Sequence, residues 1–387
     1  MKVLFYRYGS ICEPDILWAF EFLKVDVVQM TDEIDNKDIS QADVLKNVSS
    51  VLSEQKFDAV FSINYYPILS EVCRIYGIRY ISWTVDSPVM ELFSDTLANE
   101  TNRTFVFDKT DYEYFKPYAG GHIFYLPLGV NTRRIDAFLE KTGPDPRFGG
   151  EVTMVGSLYS EKNRCNMFAD RNSKLWGYLE ALCDAQSKIY GDFILDRSLT
   201  KNIIDEFKRK MPDYYNPPER FRVDDALTMA LLYLAPETAV RERRRILTAL
   251  GNKFPVKLYT GSDSAGIPVK NCGRVRTLEE MPLVFRDSRI NLNITLKSIR
   301  SGISQRVFDV LGCGGFLLTN YQSEIPELFD RGLVMFASDE ELLSLTDYYL
   351  SHEKEREEIA KEGQAVVRAK CSIEARVLEM FETAFSI

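Results

Sequence analysis

Residues 301–320 read SGISQRVFDVLGCGGFLLTN, and the reading of this stretch decides the fold of the chain around it. Ser301 and Gly302 make a small polar turn, a short helical run follows, Gly314 and Gly315 close it, and an apolar strand comes at once. A helix N-terminus carries about half a positive charge and free N–H groups, so such a turn favours a phosphate. Gly302 has no side chain to block close approach, the amides around it include that of Ile303, and Ser301 and Ser304 offer hydroxyls or a helix cap. Asp309, further along the same helix, can accept hydrogen bonds from sugar hydroxyls. Gly312, Gly314 and Gly315 let the helix close tightly onto the strand. The ligand that fits is a diphosphate with a ribose attached. The same residues also suit a plain capped helix whose acid pairs with Arg306 on the same face, and the stretch alone leaves both open.

Working outward, strand-like and helix-like segments alternate. KVLFY, VDVVQM, FDAVFSI, IRYISWTVD, NRTFVFD and HIFYLPLG read as strands of one sheet, with helical segments such as EPDILWAFEFLK and PILSEVCRIYG between them. Strands separated by helices of this length mean βαβ units and a parallel sheet covered on both faces. The stretch KTGPDPRFGG (141–150) is rich in glycine and proline and reads as a linker. It separates an N-terminal domain (1–145) from a C-terminal one (146–372), where EVTMVGSLY, VKLYTGS, RINLNIT, GFLLTN and LVMFAS resume the rhythm. Residues 163–245 form a helical insertion, broken by PDYYNPPERF. Its basic run of Arg241, Arg243, Arg244 and Arg245 is most simply a solvated helix face. The last helix (373–387) is expected to return to the first domain. The fold class is therefore α/β, with two doubly wound domains that bind ligand at the carboxyl ends of their strands.

Composition excludes several functions. At 387 residues, 45% hydrophobic and 27% charged, the chain is globular. No apolar run approaches the ~20 residues of a membrane span. The formal charge of −9 argues against nucleic acid and against an anionic membrane surface. Seven scattered cysteines without CxxC spacing suggest reduced thiols in a cytoplasmic protein. Two histidines, His122 and His352, cannot build a His-rich metal site. The first domain lacks GxGxxG after its first strand, so it is a poor dinucleotide binder.

RVFDVLGCGGFLLTNYQSEIPELF resembles the donor-binding segment of GT-B glycosyltransferases, in particular the CgeB-like spore-maturation family. YISWTVDSPV, FYLPLGVNT, TMVGSLY and GRVRTLEEMPLVFRDSRINLNIT fit the same family in the same order. The resemblance covers both domains outside the helical insertion. It implies two Rossmann-like domains, a nucleotide-sugar donor on the second, an acceptor on the first, and no cofactor or metal, the nucleotide-sugar being a substrate. Of the glutamate pair in many retaining relatives, the second matches Asp309 and the first falls on Ser301, so the usual carboxylate facing the transferred sugar is missing. That departure leaves stereochemistry open.

Family members also carry a basic residue after the first donor-domain strand, where Lys162 and Arg164 stand here. Lys297 and Arg300 are rival phosphate partners, with Arg300 preferred for its fork geometry. Arg274 and Val275 supply a rim for the base, or are an ordinary strand exit. In the first domain Asp86, just past a strand, can take the proton from an acceptor hydroxyl if partial burial raises its pKa, or it simply starts a turn before Ser-Pro. Trp83 stacks on a sugar or packs the core, Gly9 and Ser10 approach from the other side with Tyr8 nearby, and His122 is structural. The function expected is transfer of a sugar from a nucleoside-diphosphate donor, UDP favoured, to a hydroxyl-type acceptor, with a homodimer possible. A sugar-nucleotide epimerase and a non-catalytic nucleotide- or carbohydrate-binding protein are the alternatives.

Overall fold

The computed structural model describes residues 1–386, and among these twelve strands build two six-stranded sheets in which every strand pair is parallel. One unit comprises Met1–Asn131, Pro218–Arg222 and the stretch from Lys370 on; the other comprises Thr132–Pro217 and Val223–Ala369. This is the α/β, doubly wound class expected from the alternating pattern.

In the first unit the strands are Lys2–Tyr6 (β1), Asp26–Met30 (β2), Ala59–Ile63 (β3), Arg79–Trp83 (β4), Asn102–Val106 (β5) and Ile123–Tyr125 (β6), in the order β2-β1-β3-β4-β5-β6. The order reverses between β1 and β3, and a doubly wound sheet opens its ligand crevice at the carboxyl ends beside such a reversal. Helices on both faces explain the unbroken apolar runs VLFY and AVF, whose residues are buried. Phe5 meets Phe61 edge-to-face at 5.2 Å, and Phe20 stacks on Phe381 at 5.7 Å. The second contact docks the helix Ile373–Ser386 on the helix Glu13–Phe22. Truncating Phe20 to alanine would cost about 3–5 kcal/mol.

In the second unit the strands are Val152–Val155 (β7), Val256–Tyr259 (β8), Lys270–Asn271 (β9), Ile290–Asn293 (β10), Leu317–Asn320 (β11) and Val334–Phe336 (β12), ordered β12-β11-β10-β7-β8-β9. Counted from β7 this is the Rossmann order, with its reversal between β7 and β10. Met154, Leu258, Leu292, Phe316 and Leu318 form its buried centre. Gly315 earns its place there: a Cβ would lie 2.6 Å from the Phe285 carbonyl oxygen.

The two units divide after Asn131, ahead of the glycine- and proline-rich stretch. The helix Thr132–Lys141 goes with the second unit because Asp136 pairs with Arg368 at 2.7 Å and Arg286 holds the carbonyls of Thr142 and Gly143 at 2.7 and 3.0 Å. The insertion has its own core, in which Phe168, Trp176, Phe207 and Tyr233 pack. Its last helix, Ala235–Gly251, serves both cores, with Ala235 in one and Ile246, Leu247 and Leu250 in the other.

Candidate functional site

The carboxyl ends of β7 and β10, where the second sheet reverses, are held together by one side chain. Arg243 donates through Nη1 to the Ser157 carbonyl just past β7, and through Nη2 to the Ile294 carbonyl just past β10 at 2.7 Å. Its guanidinium lies 4.7 Å from the ring of Tyr159 and is 7% exposed. Burial presses its ordinary value down. A buried cation facing neutral carbonyls and a ring, at the point where a doubly wound sheet takes its ligand, suits an anion. This overturns the reading of residues 241–245 as a solvated face. Arg245 is also engaged, pairing with Asp339, and Arg241 bonds to Glu180, Asp184 and Glu237 at 2.7–3.0 Å.

The 301–320 stretch forms the helix Gln305–Gly312 directly after the β10 loop. Ser304 occupies the cap position but its hydroxyl makes no cap bond; it reaches Thr295 Oγ1 at 3.2 Å and receives Asn293 Nδ2 at 3.3 Å. Among the described residues none accepts from the backbone amides of Gly302, Ile303 or Ser304. Asp309 receives Arg306 Nη1 on Oδ2 and Gln305 Nε2 on Oδ1, both at 3.0 Å. The pairing with Arg306 is therefore present, on a half-buried and reachable carboxylate.

Ser301, where the resemblance leaves a carboxylate missing, has one beside it. Its hydroxyl donates to Glu324 Oε1 at 2.6 Å, and the Glu324 amide donates to the Ser301 carbonyl at 3.3 Å. Glu324, which follows β11, is 3% exposed. Sequence spacing concealed it, because it comes from a different loop.

The other expected donor residues separate into groups. Lys162 and Arg164 are exposed, Lys162 with its ammonium 5.5 Å from the Tyr159 ring. Lys297 is buried in a pair with Glu242 at 3.1 Å and donates to the Ile189 carbonyl at 3.1 Å; burial lowers the lysine and raises the glutamate. That commits Lys297 to fastening the insertion. Arg300 is half-buried, 5.4 Å from the Phe193 ring. Arg274 is exposed and lies over Gly261, with Val275 half-buried next to it, both beyond β9. Glu161, which the sequence did not single out, accepts from Ser157 Oγ at 2.7 Å and Ser262 Oγ at 2.9 Å and so ties the loops after β7 and β8.

In the first unit three polar side chains converge past β1, β3 and β4. Asn64 Nδ2 donates to Asp86 Oδ2 at 2.8 Å and to Tyr8 Oη at 3.0 Å, and Tyr8 Oη donates to Asp86 Oδ2 at 3.2 Å. Asn64 Oδ1 accepts from the Val85 amide at 3.0 Å. Asn64 holds φ at +59°, a left-handed conformation that asparagine tolerates better than most residues. Burial, and then the Asp86 charge, push the Tyr8 phenol up. Asp86 itself is exposed, so the partial burial invoked for it is not what this unit provides. Trp83 is 2% exposed, with Nε1 on the Leu126 carbonyl at 3.4 Å, which places it in the core and not against an acceptor. The amides of Tyr8, Gly9 and Ser10 all donate to Glu13 Oε1, at 2.9, 2.8 and 3.0 Å. Gly9 and Ser10 are thus occupied by the protein's own acid. His122 precedes β6, at the amino edge of the sheet, and burial lowers it.

With this geometry in hand, comparison with known proteins is informative. Residues 240–382 match a family described as glycosyl transferase-like, a segment that includes Arg243, Asp309 and Glu324. No curated protein matches the chain. In fold the chain is similar to HepE of Anabaena in complex with UDP and glucose, at 13% identity over 100% of both chains and a TM-score of 0.54. It is similar to sucrose-phosphate synthase of Thermosynechococcus elongatus, at 11% identity over 99% of this chain and 98% of that one, with a TM-score of 0.54. A third likeness is to the E. coli trehalose-6-phosphate protein bound with UDP-2-fluoro glucose, at 12% identity over 100% and 99%, with a TM-score of 0.55. At these identities the likeness establishes the fold, which is GT-B with two Rossmann-like sheets.

Proposed function

From a chain of GT-B fold whose residues 240–382 are glycosyl transferase-like, we propose a glycosyltransferase of the CgeB-like branch that moves a sugar from a UDP-sugar to a hydroxyl-type acceptor without a metal. The observation that carries this is the pairing of unoccupied amides at Gly302, Ile303 and Ser304 with the buried Arg243, both at the carboxyl edge where the second sheet reverses. Amides and a fixed guanidinium stabilise a departing diphosphate without reorganising, which is the service a metal gives elsewhere. Arg300 and Arg306 add positive charge. Asp309 exchanges Gln305 and Arg306 for the ribose hydroxyls, and Arg274 with Val275 edges the base.

Glu324 stands in for the carboxylate missing at Ser301 and faces the donor sugar. The acceptor belongs to the first unit, with Asp86 as the base for its hydroxyl. None of the seven cysteines is in a disulfide, which supports a cytoplasmic enzyme. No helix among the described residues is long and apolar enough to cross a membrane. A thermal-shift panel of UDP, GDP, ADP, CMP and dTDP sugars tests the donor assignment. A UDP-sugar is expected to stabilise the wild type, and Asp309→Ala is expected to weaken that binding tenfold to a hundredfold, about 1.5–3 kcal/mol for hydrogen bonds to a charged group. A variant stabilised as strongly as wild type removes Asp309 from the site.

A further inference from the structure

A cavity of the same unit lies at the amino edge of its sheet, opposite Arg243. It has a volume of about 290 Å³ and sits before the amino ends of β10 and β11, lined by Arg286–Arg289, Gly314–Phe316 and one face of the helix Glu353–Lys370. Arg286 and Asp287 cancel one another through two bonds of 2.7 and 2.9 Å. What remains is Arg289, Arg356 and Lys361 against the single carboxylate of Glu357. Among the described residues neither Arg289 nor Lys361 has an ion-pair partner, and Arg356 reaches only the outlying Glu353, at 3.4 Å. Arg356 is 5% exposed, with Nη1 on the Tyr349 carbonyl at 2.6 Å. Burial holds its guanidinium below the ordinary value, with the Glu353 and Glu357 charges opposing and the neighbouring Arg289 pressing the same way.

Cations near helix C-termini commonly cap carbonyls, as Arg356 does at Tyr349 in the last turn of the helix Asp339–Ser351, but the other helix-end carbonyls around the cavity are taken. The carbonyls of Asp309, Val310 and Leu311 accept from the amides of Cys313, Gly315 and Gly314, that of Phe285 accepts from Asn291 Nδ2, and that of Leu283 from the Asp287 amide. Arg289 and Lys361 therefore add positive charge to the cavity, within a chain of formal charge −9, without an ion-pair partner among the described residues. Fork-shaped guanidiniums suit the oxygens of a phosphate.

We propose that this cavity binds a small phosphorylated anion, and that Arg289, Arg356 and Lys361 hold its phosphate. The cavity exceeds what a bare phosphate fills, so the favoured form is a phosphate monoester with a small body. The site is independent of the transferase reading, because it lies at the sheet edge away from Arg243 and Gly302.

Isothermal titration calorimetry with glucose 6-phosphate and with inorganic phosphate tests it, using the full chain with and without saturating UDP. The expected result is millimolar or tighter binding that persists with UDP present and weakens at least tenfold in Arg289→Ala/Lys361→Ala. Both of those residues are exposed, so the double variant should fold. Tighter binding of glucose 6-phosphate identifies an ester site, and equal binding identifies a free-phosphate site. No binding by either probe, competition by UDP, or unchanged binding in the double variant overturns the proposal. Loss of the UDP response alone would count against the transferase reading and leave this one standing.

Discussion

The two sheet reversals are built alike and filled differently. Beside the first, after β1, three successive backbone amides point at a common spot and the protein supplies the anion itself: Glu13, fully buried, whose other oxygen takes Arg7 Nε at 2.9 Å. Beside the second, after β10, three successive amides at Gly302–Ser304 have no such acceptor among the described residues, and Arg243 is buried against carbonyls. One doubly wound sheet has therefore closed its anion site with a side chain, while the other has kept the same chemistry available. The lesson is that sheet topology marks where a ligand can bind, and the local side chains decide whether one does.

The largest effect should come from opening the closed site. Glu13→Ala leaves three amides and Arg7 Nε without their acceptor, and should lower unfolding free energy by about 3–5 kcal/mol, read from a urea midpoint. UDP affinity should not change, and a parallel loss of UDP binding would break the contrast between the two reversals. Next, Arg243→Met should weaken UDP binding about a hundredfold, equivalent to about 2.7 kcal/mol, with Arg243→Lys recovering part of it because charge is kept but the fork is lost. Equal binding by Arg243→Met and wild type, measured by calorimetry, would show that the buried cation serves the insertion alone.

A smaller change sharpens the first unit's side of the comparison. Asn64→Ala frees Asp86 from its clamp and should reduce release of glucose from UDP-glucose about tenfold, since a positioned acid–base group contributes 10²–10⁴-fold in all. UDP affinity should stay at the wild-type value. A change in affinity with turnover intact would assign Asn64 to the wrong substrate. The smallest effect belongs to the exposed pair: Lys162→Ala/Arg164→Ala should alter UDP affinity less than about twofold, because solvated charges contribute little. A tenfold loss would return the phosphate role to them.

Much of the fold was legible because apolar runs of strand length alternate with helical segments throughout, and the helix and strand read in residues 301–320 form as Gln305–Gly312 and Leu317–Asn320. The proposed donor side was half legible. Asp309 and the Ser-Gly turn announce themselves locally, whereas Glu324 reaches Ser301 from another loop and Glu13 turns back onto the loop before it. Arg243 was missed for a different reason. A run of arginines suggests a wet surface, yet Ala239, Arg243, Ile246 and Leu250 share one helical face, and that face is buried. Reading the periodicity ahead of the charge would have placed it inward. The unit boundary was misplaced because glycine and proline mark a break in secondary structure, while Arg286 and Arg368 decide which unit the preceding helix joins.

The central claim rests on where a nucleotide lies, and a crystal structure of the full chain with UDP tests it most directly. The diphosphate should sit within hydrogen-bond distance of the Gly302, Ile303 and Ser304 amides, with the ribose hydroxyls on Asp309 and Arg306 turned aside. A diphosphate bound at the β1 loop, or a nucleotide in the second unit with the Asp309–Arg306 pair undisturbed, would contradict it.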